Sequence, residues 1–437
     1  MKILVIGSGG REHALVWKIR QSQLVSQIYC APGNAGIAEL AELVPIDVDD
    51  IDNLLRFVRE QQIDLTVVGP ELPLTSGIVD LFEANEVKIF GPTKKASEIE
   101  GSKVFAKAFM KKYNIPTAEF RAFSSDERFD AERYINDIPV PIVIKADGLA
   151  GGKGVTICET KDQALEVLDA MMNQKIFGAA GSRVIIEEFL IGEEASVFAI
   201  SDGKDFITLV PSQDHKRIFD SDQGKNTGGM GAYAPTPVVS ETMLEKIKRT
   251  IIRPTLLGLA KEGRTYKGCL YVGLMITETG PKVVEYNCRF GDPETQVVLP
   301  LFENDIVELM MQAISGKLGK VKIKSKRRSA VCVVIASGGY PDRYEKNKPI
   351  VGLDAVVPEN DVIVFHAGTK REKNILVTSG GRVFGVTAIG PRDDLEGTID
   401  KAYRAVEKIT FDGAYYRSDI GKKGVERLKQ LQKVEVK

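Results

Sequence analysis

The first hundred residues alternate short apolar runs with helix-length stretches, and that alternation constrains the fold more than any other feature of the sequence. Ile3 to Ile6, Leu65 to Val68 and Val87 to Phe90 have the length and β-branched content of buried strands, while Glu12 to Arg20, Ile51 to Gln61 and Ser76 to Ala84 carry helical spacing. Repetition of strand and helix predicts βαβ units in a parallel sheet, with ligands at the turns that follow the strands. The character changes near Gly101. A basic helix is expected through Lys103, Lys107, Lys111 and Lys112, stopped by Ile115-Pro116.

From Ala122 to Leu190 the order is helix, strand (Ile142 to Lys145), glycine-rich loop, strand (Val155 to Cys158), helix (Asp162 to Met172) and strand (Val184 to Glu188), which reads as a small α+β lobe. A polar loop (Ser212 to Ala232), a long helix (Glu241 to Leu259) and paired strands (Leu270 to Ile276, Lys282 to Tyr286) follow. The basic tract Lys320 to Arg328 is expected to be a solvated linker, and Ala330 opens a β-rich segment with glycine turns. The expected fold class is α/β and α+β, multidomain: a parallel-sheet N-domain over 1–101, a core over 102–326 with a small hinged lobe at about 122–190, and a β-rich C-terminal domain over 327–437. With 437 residues the chain can bury several cores.

Charge excludes some partners. Lys+Arg number 59 against 60 Asp+Glu, a net charge of -1, which gives no surface for nucleic acid or an anionic membrane. Cys30, Cys158, Cys269, Cys288 and Cys332 form no C-x-x-C pair and only three histidines accompany them, so no zinc spacing can be assembled and a reducing cytoplasm is expected. Neither a signal-peptide pattern at the N-terminus nor an apolar run long enough to span a bilayer is seen.

Gly7-Ser8-Gly9-Gly10-Arg11-Glu12-His13 follows a strand and opens a helix, so its free N–H groups point at an anion. The dinucleotide fingerprint requires glycine where Glu12 stands, which disfavours NAD and leaves a single phosphate plus a polyol, with Gly9, Gly10 and Arg11 on the phosphate and Glu12 free to accept hydroxyl hydrogen bonds. The loop Lys145 to Gly154 lies between strands and fails the Walker spacing. A glycine hairpin of this kind can fold over a triphosphate, with the amides around Gly151, Gly152 and Lys153 on the phosphates and Lys145 as a fixed charge below. In the acidic turn after Glu187, the backbone at Glu187 and Leu190 suits an adenine edge and Glu194 suits ribose hydroxyls. Glu285 and Asn287 are two apart on a strand, so both face one side and can share a hard cation. Arg289 continues that line as a charge for a transferring phosphoryl group. Asp214 and Lys216, followed by Asn226 and Gly228, suit a small zwitterionic substrate, whereas His215 is not expected to act as a base.

Together these segments resemble the ATP-grasp ligases. Within them the chain is most similar to the branch that joins glycine to 5-phosphoribosylamine, through Gly7 to Ala14, Ala31 to Gly36, Val68-Gly69-Pro70-Glu71, the glycine loop, Ser212 to Arg217, Asn226 to Gly231, Phe365 to Thr369 and above all Arg-Phe-Gly-Asp-Pro-Glu-Thr-Gln at 289–296. The resemblance implies a pre-ATP-grasp N-domain, an ATP-grasp core and a C-terminal domain. It also implies ATP, glycine and 5-phosphoribosylamine as substrates, Mg²⁺ or Mn²⁺ as cofactor, and a glycyl phosphate intermediate in purine biosynthesis; the sequence leaves the oligomeric state open, with a monomer favoured. Lys103 would join Lys145 in holding ATP, and Asp292 and Glu294 would contact substrate. One departure stands out: many ATP-grasp enzymes carry an acid on the strand before the Glu-x-Asn pair, and Tyr271-Val272-Gly273-Leu274-Met275 offers none. Other readings open at this point are an ATP-grasp ligase or carboxylase with a different acceptor, a nucleotide-binding regulator without the chemistry, and an oxidoreductase resting on the first glycine turn alone.

Overall fold

The computed structural model describes residues 1–148, 154–174, 181–356 and 359–435. It opens with a five-stranded parallel sheet, β1 (Lys2–Gly7), β2 (Gln27–Pro32), β3 (Glu42–Leu43), β4 (Leu65–Val68) and β5 (Ile89–Phe90), in the order β3-β2-β1-β4-β5. Leu4 and Ile6 enter one core and Ile3 and Val5 another, as expected of a parallel strand buried on both faces. The helices are α1 (Gly10–Ile19), α2 (Ile51–Gln61), α3 (Glu71–Ser76), α4 (Ile78–Ala84), α5 (Lys94–Gly101) and α6 (Lys103–Lys112). The helix expected at 76–84 is α4, and the unexpected α3 precedes it, ended by Gly77, whose φ of 102° caps α3.

The small lobe has its own antiparallel sheet, β6 (Phe120–Ser124), β7 (Ile142–Ala146), β8 (Val155–Cys158) and β9 (Arg183–Glu188), ordered β6-β9-β7-β8. Helices α7 (Arg128–Asp137) and α8 (Lys161–Met172) cover one face and enclose a separate core with Ile142, Ile144, Val184 and Ile186. Strand alternation therefore turns Lys145 and Glu187 to the opposite face.

Next come β10 (Glu193–Asp202), β11 (Phe206–Thr208), β12 (Gln213–Asp214), β13 (Arg217–Phe219), β14 (Gln223–Asn226) and β15 (Gly231–Ala234), so the expected polar loop contains a hairpin and two further strands. A helical stretch over 241–261 comprises α9 (Glu241–Ile247), a π turn (Lys248–Ile252) and α10 (Arg253–Lys261). β16 (Lys267–Thr277) and β17 (Gly280–Asn287) complete the sheet β11-β10-β16-β17. After α11 (Thr295–Leu301) and α12 (Ile306–Ile314), the last sheet is built from β18 (Arg328–Ser337), β19 (Val362–His366) and β22 (Arg382–Pro391). Between β19 and β22 lies the hairpin β20 (Thr369–Glu372) and β21 (Ile375–Thr378). Helix α13 (Leu395–Val406), β23 (Ala414–Tyr415), paired to β18, and α14 (Lys422–Glu435) finish the chain.

This last sheet runs β12-β15-β18-β22-β19, so two strands from before residue 235 share a sheet with strands from after residue 327, joined where β15 pairs with β18. β18 is buried on both sides, with Val331 and Val333 in the C-terminal core and Ala330 and Cys332 in the central one. The basic tract keeps Lys320, Lys322, Lys324 and Lys326 exposed, while Val321 and Ile323 pack against the central core. All five cysteines are buried free thiols, and no helix among the described residues is long and apolar enough to cross a membrane.

Candidate active site

A cavity of about 990 Å³ opens where these pieces meet, with walls drawn from the N-terminal sheet region, the small lobe, the central sheet and the C-terminal sheet. On the small-lobe side, Lys145 and Glu187 project from β7 and β9 toward α6, whose Lys103 and Lys107 lie one turn apart. The Glu187 carboxylate bridges two ammonium groups, one oxygen on Lys145 and the other on Lys107. Burial raises its proton affinity, but the two lysines outweigh that and hold it below the usual carboxylate range. Burial brings Lys107 down to about 8, opposed by Glu187, and Lys103 is lowered for the same reason. Lys145 also donates to Val284 O (3.2 Å) and Lys103 to Gly148 O (2.7 Å). Among the described residues no hydrogen bond engages the Leu190 backbone just past β9. Gly151, Gly152 and Lys153 lie outside the described residues.

Glu285 and Asn287 face the cavity from β17, and the β16 register sets Gly273 and Tyr271 opposite them, so no acid sits across the strand. Lys216 Nζ lies 3.3 Å from Glu285 and 3.4 Å from Glu194. Lys216 is the main reason Glu285 stays ionised, ahead of the opposing effect of burial, with Lys145 and Lys103 adding to it. The Asn287 amide orientation that satisfies both its ends puts the nitrogen 2.8 Å from Glu100 Oε1 and leaves the oxygen on the other side. A carboxylate and an amide oxygen on one strand face suit a hard cation that takes its remaining ligands from phosphates and water. They do not form a closed protein cage, and no cluster of three or more acidic, His or Cys residues among the described residues could make one.

Arg289 is pinned in the wall: Nε is 3.1 Å from Glu71 Oε2, Nη2 is 3.4 Å from Glu100 Oε1, and Nη1 donates to Phe290 O at 3.2 Å. Asp214, Lys216, Asn226, Gly228, Asp292 and Glu294 are gathered in the same cavity. Burial pushes the Asp214 carboxyl well up, and Glu294, Glu194 and Glu285 reinforce this against Lys216. Ser196 Oγ donates to Glu294 (3.2 Å) and shares a hydrogen bond with Tyr271 OH (2.9 Å). Arg382 ties Asp292 (3.3 Å) to the carbonyl of Gly228. His215 is buried off the cavity wall, and burial brings its imidazole down to about 3, in keeping with a histidine that does no acid–base work.

The first glycine turn departs from the expectation. Glu12 folds back so that its Oε2 accepts from Gly9 N–H (2.6 Å), while Oε1 takes Arg11 Nε (2.6 Å). A Cβ on Gly7 or Gly69 would strike that side chain at 2.4 and 2.0 Å, and one on Gly10 would meet Gln296 at 2.6 Å. The anion position at this helix end is therefore filled from within by a carboxylate, and Glu12 is not free for a ligand hydroxyl. Gly9 and Gly10 do not line the cavity, and of the four residues only Arg11 reaches its wall.

Lys107, Glu71, Glu100 and Arg382 were not singled out as site residues from the sequence. The spacing of Lys103 and Lys107 puts them on one helix face, and Glu71 closes the Val68-Gly69-Pro70-Glu71 segment, but nothing local announces Glu100 or Arg382.

A small antiparallel lobe closing over a larger antiparallel sheet, with lysines on one side and a Glu-x-Asn strand on the other, defines an ATP-grasp protein. Family models of phosphoribosylglycinamide synthetase match in three consecutive parts: the N domain at residues 1–100, the ATP-grasp (A) domain at 101–295 and the C domain at 330–423. The chain belongs to the phosphoribosylglycinamide synthetase family. It is 51% identical over 420 residues to the phosphoribosylamine-glycine ligase of Caldanaerobacter subterraneus subsp. tengcongensis, covering 96% of this chain and 99% of that one. A crystal structure of phosphoribosylamine-glycine ligase from Thermotoga maritima is similar at a TM-score of 0.81 and 36% identity, covering 96% of this chain and 100% of that one. The biotin carboxylase domain of Hydrogenobacter thermophilus 2-oxoglutarate carboxylase, at 16% identity, TM-score 0.73 and coverage of 95% and 91%, shares the fold.

Proposed function

We propose that the chain is an ATP-dependent carbon-nitrogen ligase that joins glycine to 5-phosphoribosylamine, giving glycinamide ribonucleotide, ADP and phosphate in purine biosynthesis. One observation carries this reading beyond the family: a single cavity holds a lysine-lined half beside Glu285 and Asn287, and a second half of mixed charge at Asp214, Lys216, Asp292 and Glu294. That is space for a triphosphate and for a small zwitterion whose carboxylate must meet it.

In this reading Lys103 and Lys145 hold the phosphates, Gly151, Gly152 and Lys153 are assigned to ATP binding, Leu190 and the Glu187 backbone meet the adenine, and Glu194 takes the ribose. Glu285 and Asn287 would hold a divalent cation, Mg²⁺ or Mn²⁺, which would supply charge neutralisation for the triphosphate. A glycine carboxylate oxygen attacks the γ-phosphorus, the bond to the bridging oxygen breaks, and ADP leaves; Arg289, already fixed by Glu71 and Glu100, meets the developing charge without reorganising. The amine nitrogen then attacks the carbonyl carbon of glycyl phosphate and phosphate departs. Water is excluded by closure of the lobe at about 122–190, in a chain divided at 101/102 and 326/327. With the Gly9 turn closed, the sugar phosphate is assigned to Arg11 rather than to the Gly9 and Gly10 amides.

The test is ADP release with glycine plus freshly made 5-phosphoribosylamine, compared with either omitted. Release that requires both supports the assignment, and equal release without the amine overturns it. With carboxyl-¹⁸O glycine, one label should appear in the phosphate; unlabelled phosphate rules out the acyl phosphate. Glu285→Ala should remove most turnover while the far-ultraviolet spectrum is unchanged, and full activity of that variant in excess chelator would sink the metal assignment.

A further inference from the structure

Lys145 carries a charge that its own neighbourhood nearly cancels. The ammonium is buried and ion-paired with Glu187, so the two alone would present a neutral pair to an incoming triphosphate. Glu187 is not left to Lys145, however. Its second oxygen is taken by Lys107, which is itself 3% exposed and donates to Thr117 Oγ1 at 2.7 Å. Thr117 Oγ1 in turn donates to Val283 O (2.7 Å), one residue before the carbonyl of Val284 that Lys145 holds. The three charged groups sum to one positive charge, and Lys145, with three donors and two partners in the fold, lines the cavity.

We propose that Lys107 is a positioning residue for ATP: by occupying the far oxygen of Glu187 it offsets that carboxylate, so that the group as a whole presents positive charge to the cavity, and it holds Lys145 in place for the phosphates. This rests on the reading of Lys145 as a phosphate ligand. Lys107 acts through Glu187, and Thr117 fixes it against the strand that carries Glu285.

Four variants of the full chain test the arrangement. Lys107→Met leaves Lys145 facing an undivided carboxylate, so the KM for ATP should rise roughly ten- to a hundredfold, the scale of one charge-assisted hydrogen bond. The KM for glycine should hold. Adding Glu187→Gln frees Lys145 from that carboxylate and should bring the KM for ATP most of the way back, although the melting temperature stays low. A purely structural role predicts the opposite: stability and KM worsen together and the double variant is no better than Lys107→Met. Should Lys107→Met fail to fold, Thr117→Val keeps both lysines and should raise the KM for ATP severalfold in the same direction. Lys145→Met separates the two readings. If it leaves the KM for ATP unchanged, the phosphate role of Lys145 fails; if it raises that KM while Lys107→Met and Thr117→Val do not, the relay fails alone.

Discussion

Arg289 shows what a residue gains from its neighbours. Its planar guanidinium meets Glu71 through Nε and Glu100 through Nη2 in a fixed fork, a geometry that the compact ammonium of lysine does not reproduce. Arg289→Lys should therefore lower kcat on the order of 10²- to 10³-fold at saturating substrates. Near-normal turnover of the lysine variant would reduce Arg289 to a structural ion pair. Glu12 is the converse, a residue read as ligand-facing that works inward. Glu12→Ala removes the acceptor for Gly9 N–H and one partner of the buried Arg11, which keeps Phe290 O, so a loss of about 1–3 kcal/mol is expected in chemical denaturation. A change under about 1 kcal/mol would show that the turn does not depend on its own carboxylate. The pairing of Glu285 with Asn287 was legible because a strand has period two. The inward fold of Glu12 was not, because position 12 of the fingerprint says which ligand is refused and nothing about where the side chain goes. Arg382 was hidden because its partner Asp292 is ninety residues away and only tertiary packing brings them together.

At the scale of elements, long periodic segments were readable and short ones were not. α2, α8, β16 and β17 stand within a few residues of their expected bounds because each carries enough apolar repeats to declare a period. The strands inside 212–232 span two to four residues and carry no such repeat, so a loop was the natural reading of what is a hairpin with two flanking strands. The expected helix at 241–259 is present, yet Pro254 has no N–H to return to the preceding turn, and the helix widens into a π turn just before it. Gly77 divides α3 from α4 with a left-handed conformation that disfavours any side chain, so Gly77→Ala should cost about 1–2 kcal/mol without touching the cavity. A melting temperature equal to that of the parent would mean the chain re-forms one helix through this point.

Across the whole molecule, the three histidines share one fate. His13, His215 and His366 are all buried, and burial brings them to about 3, 3 and 4, with the charge of His366 adding to the effect at His13. Each stays neutral in the fold and protonates near 6.5 once unfolded, so the unfolded chain binds more protons as pH falls and stability declines between about 6.5 and 3. The melting temperature should thus be level above about pH 7 and fall below 6, and His215→Gln should flatten that slope. A slope unchanged in the variant would assign acid sensitivity to the carboxylates instead. His13 Nδ1 accepts from His366 N–H (2.8 Å), and Asn34 donates to the His366 carbonyl (2.9 Å), so the N-terminal and C-terminal regions are stitched directly to each other. The shared sheet binds the central region as well. β15 pairs with β18, which the ribosome makes roughly a hundred residues later, so at 5–20 residues per second the nascent strand spends about 5–20 s without its neighbour. During synthesis, then, the N-terminal sheet can close on its own, but Gly231–Ala234 must wait in the company of β12 alone, and the half-made central region depends on whatever shelters that open edge until its partner emerges.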